Sequence, residues 1–245
     1  MRLEVPTPDG SAEAWLAVPG DGGSHPGVLL FMDAIGLRPR IFEMADRIAS
    51  WGYVVLAPHV FHREGTAAET SADGPLDTDE KRASFFAEAM PRVGRLTPDL
   101  ALPDIAAYLS ALTSRADVTA PVGVVGYCMG ARLAIRAACA HPDLVAACAG
   151  FHGGGLATDA PDSPHLGLGA ARARFVFGHA DHDASMDAEA VARLHDALDA
   201  AGLDAVNEVY AGARHGYTMA DTAVFDPAAT ERHFEALREL LDDTL

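Results

Sequence analysis

The 245-residue chain predicts a single α/β domain, residues 1–245, built on a mostly parallel central sheet with helices on both faces. Three observations lead there. Short apolar runs bounded by turn residues alternate with segments of helical periodicity, as in strand–helix–strand units. The alternation persists along the chain with no internal repeat and no shift of composition that would mark a linker. The residues capable of covalent chemistry follow the later apolar runs, at the strand ends where open α/β sheets bind ligands.

In chain order, buried strands are expected at 14–18, 27–32 and 53–57, each an apolar run of strand length. Between the last two, Ile41, Met44, Ala45 and Ile48 have helical spacing that stops at Gly52. Residues 64–80, polar and rich in Gly, Asp and Thr, read as a long mobile loop. Leu102, Ile105, Leu109 and Leu112 suggest a helix whose start Pro103 interrupts. Strands follow at 122–126, 144–149, 175–178 and 205–210, and a helix over 131–140 ends at His141-Pro142. Val191, Leu194 and Leu198 form a helix stopped by Gly202. Phe234, Leu237 and Leu241 form another, started by the cap Asp226-Pro227.

Asp plus Glu outnumber Lys plus Arg by 35 to 18, a formal charge of −17. That balance argues against nucleic acid or an anionic membrane as partner, since both need cations to meet phosphate. No apolar run reaches membrane-spanning length, and the first ten residues lack the apolar core of a signal peptide, so a cytoplasmic protein is expected. Cys128, Cys139 and Cys148 are too few for a disulfide framework and fit no zinc spacing. The pairs His59/His62 and His179/His182 lack a third ligand, so neither a metal nor a cofactor is expected.

Gly126-Tyr127-Cys128-Met129-Gly130 lies between an apolar strand and a good helix former. Small residues two before and two after a central nucleophile let strand and helix approach closely around a strained turn. Such a turn holds the side chain above the sheet, at a helix start that favours a thiolate and offers a free N–H to an oxyanion. Outside this setting a cysteine is more often a small core residue, which is the reading for Cys139 and Cys148.

A thiol nucleophile needs a base and an orienting acid, and on such sheets the order along the chain is nucleophile, acid, histidine. The strand at 175–178 empties into His179-Ala180-Asp181-His182-Asp183, and the strand at 205–210 into Ala211-Gly212-Ala213-Arg214-His215-Gly216. Asp181 is expected as the acid and His215 as the base, with Asp183 the competitor for the acid.

At these residues the chain resembles the dienelactone hydrolase family, a cap-less branch of the α/β-hydrolases. The likeness spans most of the sequence and is carried by G-Y-C-M-G at Gly126, G-H-A-D at Gly178 and A-R-H-G at Ala213. The resemblance implies an α/β-hydrolase fold, Cys128 as nucleophile, Asp181 as acid and His215 as base. It also implies an oxyanion hole from the backbone N–H groups of Met129 and Ala34. Asp33 stands where the family often has a Glu that interacts with the resting thiol. An Arg past the histidine that binds the substrate carboxylate in the family's namesake is absent, Met219 closing that segment. Tyr127, His152, Arg214 and Tyr217 are further candidates for tuning the thiol or binding substrate. His152 opens a Gly-rich stretch, 151–155, that either lines the pocket or is a glycine turn.

The expected activity is cysteine-dependent hydrolysis of small activated esters or lactones through an acyl-thioester, in a monomer or homodimer that takes a small-molecule ester or lactone. A thiolate leaves a tetrahedral intermediate more readily than an alkoxide, so the substrate's leaving group needs a low pKa, as in enol or aryl esters. For an anionic substrate, Arg38, Arg63 or Arg214 would have to offset the negative chain. The alternative is a thiol redox sensor or small-molecule binding protein on the same fold, against which the lack of Cys-x-x-Cys counts.

Overall fold

The computed structural model describes residues 1–245. Strands β1 (Arg2–Thr7), β2 (Gly10–Ala17), β3 (His25–Phe31), β4 (Val54–Pro58), β5 (Val118–Tyr127), β6 (Val145–Phe151), β7 (Arg174–Ala180) and β8 (Ala205–Tyr210) form one sheet in the order β1-β2-β4-β3-β5-β6-β7-β8. From β4 to β8 every neighbouring pair is parallel; β2 runs antiparallel to β1 and β4. The inner strands are covered on both faces, which is why they read as unbroken apolar runs: all of β4 is buried, as is β3 from Gly27 onward. Strand β1 has no such signature. It is an edge strand that buries only Val5.

Helix α1 (Pro39–Ala49) packs on β2 and β4 and meets α7 (Pro227–Thr244) on the same face, where Arg47 pairs with Glu231 and Trp51 packs edge-on against Phe234. On the opposite face lie α4 (Pro98–Thr113), α5 (Met129–Ala140) and, beyond a short 3-10 turn at Pro164–Ala170, α6 (Ala188–Ala200). The starts of α6 and α7 are capped by Asp187 and Asp226, whose carboxylates accept the free N–H groups of the first turn. Helix α4 continues through Pro103. The ring costs one backbone hydrogen bond, but burial of Ile105, Tyr108, Leu109 and Leu112 keeps the helix in place.

The largest departure from expectation is at 64–80, read above as a mobile loop. It contains a helical turn, α2 (Ala67–Thr70), closed by a reciprocal capping box between Thr66 and Glu69, and it leads into α3 (Asp79–Arg95). Leu76 exchanges backbone hydrogen bonds with Asp221 and Ala223, tying this excursion to the chain that follows β8. Helix α3 buries only Ala89 and Val93, yet it forms a wall of the pocket described next.

Candidate active site

Cys128 sits between the end of β5 and the first residue of α5 with φ 54° and ψ −118°, a region that side chains other than glycine rarely occupy. The turn is held by Cys128 N–H donating to the Phe151 carbonyl (3.1 Å) and Ala131 N–H donating to the Cys128 carbonyl (3.2 Å). It closes only because its flanks are glycine. A Cβ on Gly126 would collide with the Gly130 carbonyl, and one on Gly130 would lie 2.5 Å from the carbonyl oxygens of Phe31 and Met32. Cys128 is thereby half-exposed at the floor of a cavity of about 590 Å³, while Cys148 is sealed in the core and Cys139 is half-buried away from it.

The loops after β7 and β8 bring an imidazole to the thiol. His215 Nε2 is 3.1 Å from Cys128 Sγ, and its Nδ1–H donates to Asp183 Oδ2 at 2.5 Å. Asp183, not Asp181, therefore faces the histidine. Strand β7 persists through Ala180, so Asp181 is still bound to the neighbouring loop: its N–H donates to the Ala213 carbonyl and its Oδ2 accepts from Gly212 N–H at 2.8 Å. The chain must turn first, through His182 at φ 53°, before a carboxylate can point back to the site. Ser185 then steadies Asp183, donating from both its N–H (2.9 Å) and its Oγ (2.7 Å) to Oδ1.

The electrostatics of the three groups are mutual. Burial alone would push the Cys128 thiol up, but the charge and hydrogen bond of His215 outweigh it, the Met129 N–H helps and Asp33 opposes; the net is a lowered pKa. His215 is raised to about 10: burial works against the imidazolium, and Cys128 together with Asp183 overcomes it. Burial likewise opposes the Asp183 carboxylate, and its bonds from His215 and Ser185 hold its pKa below the usual value. Both shifts run in the direction of a thiolate–imidazolium pair. Burial instead raises Cys139 to about 11 and Cys148 well above the ordinary thiol value, so neither shares this activation.

Other expected site residues are distributed unevenly. Met129 and Ala34 both line the cavity beside Cys128. Asp33 is buried nearby, but both its oxygens are taken by Arg38 (2.6 and 3.2 Å) and Oδ1 also accepts from Ile35 N–H, so it shapes the loop rather than bonding the thiol. Tyr127 and Tyr217 belong to the core: the first reaches His233 and the second donates to the Gly178 carbonyl. Since side chains alternate along a strand, Tyr127 points away from the pocket that Cys128 faces. His152 lies fully buried behind His215, ring centroids 5.5 Å apart, with Nε2 bonded to Thr218 Oγ1. Arg214 points outward to Asp79. Arg38 and Arg63 are saturated by the pairs Asp33/Asp221 and Asp9/Asp104.

Of the Gly-rich stretch, Gly154 and Gly155 do line the cavity. Lining residues not expected from sequence are Arg82, Phe86, Met90 and Val93 of α3, Ala184 and Ser185, and Arg132 from the first turn of α5. The α3 residues recur at helical spacing in the sequence, and that periodicity was the available signal. Arg82 also donates to the His215 carbonyl at 3.1 Å.

A mostly parallel sheet with the strained Cys128 turn after its fifth strand, and with histidine and carboxylate on the loops after later strands, defines an α/β-hydrolase. The family model of dienelactone hydrolases matches residues 12–245, and the chain belongs to that family of hydrolases. It is 27% identical over 228 residues to a carboxymethylenebutenolidase of Rhodococcus opacus, covering 93% of this chain and 84% of the relative. It is 27% identical over 213 residues to a carboxymethylenebutenolidase of a Pseudomonas species, covering 85% and 80% of the two chains. The fold superposes on a dienelactone hydrolase-like promiscuous phosphotriesterase from metagenomic libraries with a TM-score of 0.79 at 22% identity, covering 100% of this chain and 98% of that one. No helix is long and apolar enough to cross a membrane.

Proposed function

We propose that the protein is a cysteine-dependent carboxylic ester hydrolase acting on small activated esters or lactones. The observation that carries the reading is the contiguous relay Cys128 Sγ, His215, Asp183 at the floor of an open cavity. The Cys128 thiolate attacks the ester carbonyl carbon, and the resulting oxyanion is held by the N–H groups of Met129 and Ala34. The intermediate collapses with cleavage of the bond to the leaving oxygen, which takes the Nε2 proton of His215, and an acyl-thioester remains. Neutral His215 then removes a proton from water as the water attacks the thioester. Collapse of the second intermediate expels the thiolate, restores the ion pair and releases the carboxylic acid. Asp183 keeps the imidazole oriented throughout.

The same relay limits the substrates. In the first intermediate Cys128 is itself a good leaving group, so acylation proceeds only when the departing oxygen is a weak base. Enol and aryl esters meet this condition; ethyl esters do not. The test is rapid-mixing hydrolysis of 4-nitrophenyl acetate: a burst equal to the enzyme concentration, an acyl adduct on Cys128 by mass spectrometry, and loss of both in Cys128→Ala support the reading. A burst that survives Cys128→Ala, or ethyl esters hydrolysed as fast as aryl esters, overturns it.

A further inference from the structure

Beside the main pocket lies a smaller cavity that shares Cys128, His215, Arg82 and Phe86 with it and extends to Asp33 and His152. It offers about 10 Å³ to the centre of a water molecule, room for one and for no larger ligand. Seven buried side-chain nitrogen or oxygen atoms of the chain lack a hydrogen bond within the protein, and two of them, His152 Nδ1 and Arg82 Nε, belong to residues lining this one cavity. A buried polar group without a partner is unfavourable, and two of them around a space of this size call for a molecule that can bond to both. Asp33, the carboxylate beside them, is already committed to Arg38 and the Ile35 N–H.

His152 occupies a strained position. It follows β6 with φ 38°, in the left-handed region where glycine would be at ease, although Gly153 and Gly154 come directly after it. Its N–H donates to the Gly178 carbonyl at 2.8 Å and its Nε2 is bonded to Thr218 Oγ1 at 2.7 Å, which fixes the ring and leaves Nδ1 as the uncommitted nitrogen. Burial, reinforced by His215 and His233, holds its pKa well below the ordinary value. The ring is therefore neutral and can bond a water without repelling the His215 imidazolium.

The reaction needs such a molecule at one step. In a lactone the oxygen released on acylation stays tethered to the acyl group and continues to fill the open side of the pocket. Water for the acyl-thioester then has to reach the carbonyl carbon from the protein side.

We propose that this cavity is the hydrolytic water site, with His152 and Arg82 as the positioning residues that hold the water for deacylation. The inference rests on Cys128 as nucleophile. The water, bonded to His152 Nδ1 and accepting from Arg82 Nε–H, crosses to the thioester carbonyl carbon as one of its protons passes to neutral His215 Nε2. A C–O bond forms, the C–S bond of the intermediate then breaks, and Cys128 leaves as the thiolate opposite the imidazolium while the acid keeps the other water proton.

The experiment separates the two nitrogens of His152. An asparagine amide reaches about as far as Nδ1 and a glutamine amide about as far as Nε2, so His152→Gln keeps the Thr218 bond and loses the water contact, while His152→Asn does the reverse. With 4-nitrophenyl acetate, His152→Gln should keep a full burst at the wild-type rate, while the steady-state rate falls about ten-fold and the acyl adduct on Cys128 accumulates. His152→Asn should stay within about three-fold of the wild type in both phases. A role confined to anchoring the loop after His215 would give the opposite order and slow the burst as well; that result, or an unchanged steady state in His152→Gln, overturns the proposal. A high-resolution crystal structure of the wild type, which needs no variant, should show an ordered water within hydrogen-bond distance of His152 Nδ1 and Arg82 Nε, and its absence overturns the proposal equally. No burst in the wild type removes the nucleophile reading and this inference with it, whereas a burst whose steady state ignores His152 leaves the nucleophile standing and sinks the water site.

Discussion

The sharpest discrimination available is between two aspartates two residues apart. Asp183→Asn removes a carboxylate that is 6% exposed and 2.5 Å from His215 Nδ1, so solvent does not screen the loss. A charge-assisted bond of this kind is worth about 1.5–3 kcal/mol, and the amide can turn its own N–H toward Nδ1 and favour the wrong tautomer. Together these place the cost near 3 kcal/mol, roughly a 150-fold drop in kcat/KM. Asp181→Asn keeps an oxygen able to accept from Gly212 N–H, and the rate is expected to stay within about three-fold. The assay is steady-state hydrolysis of 4-nitrophenyl acetate combined with iodoacetamide labelling of Cys128 across pH. Without Asp183 the imidazolium loses a partner that raises its pKa, so thiolate formation should move to higher pH in Asp183→Asn alone. Equal losses in the two variants, or an Asp183→Asn profile that overlays the wild type, would refute the assignment of the acid.

Other perturbations have equally definite outcomes. Because His215 lowers the Cys128 pKa and is itself raised to about 10, Cys128 should be labelled at lower pH in the wild type than in His215→Asn, where labelling should climb only toward the ordinary thiol value of 9.0. Gly130→Ala forces a Cβ to within 2.5 Å of two carbonyl oxygens that the strand cannot easily move, and should lose about 3 kcal/mol or fail to fold, read as the urea midpoint. Arg38→Met leaves Asp33 buried without its cation and should destabilise by about 3 kcal/mol in the same assay. Because the freed carboxylate belongs to the Asp33-Ala34 loop, kcat for 4-nitrophenyl acetate should fall as well; a stable, fully active variant would contradict that coupling.

Where residues answer mainly to burial, the sequence was legible. The apolar runs that became β3 through β7 are continuous because neighbours cover both faces, and the glycines around Cys128 are demanded by backbone contacts a few residues away. The resemblance to dienelactone hydrolases is matched by the family model over residues 12–245. What failed depended on distances that no local pattern encodes. Asp181 and Asp183 are indistinguishable in a string, and only the extra strand pairing at Ala180 decides which one is spent on a neighbouring loop. The stretch 64–80 looked unstructured because its order derives from a capping box and from bonds to Asp221 and Ala223, far along the chain. Tyr127 and Tyr217 lie beside Cys128 and His215 in sequence but face the core.

Helix α3 roofs the pocket while burying just Ala89 and Val93. Apart from Arg82, its side chains toward the pocket are therefore largely decoupled from the packing that keeps the sheet folded and make no hydrogen bond to Cys128, His215 or Asp183. Exchanging Phe86 or Met90 should redraw which molecules enter at small thermodynamic penalty, so this stretch is where natural variation or laboratory selection can retune preference while the turn beneath it stays constant.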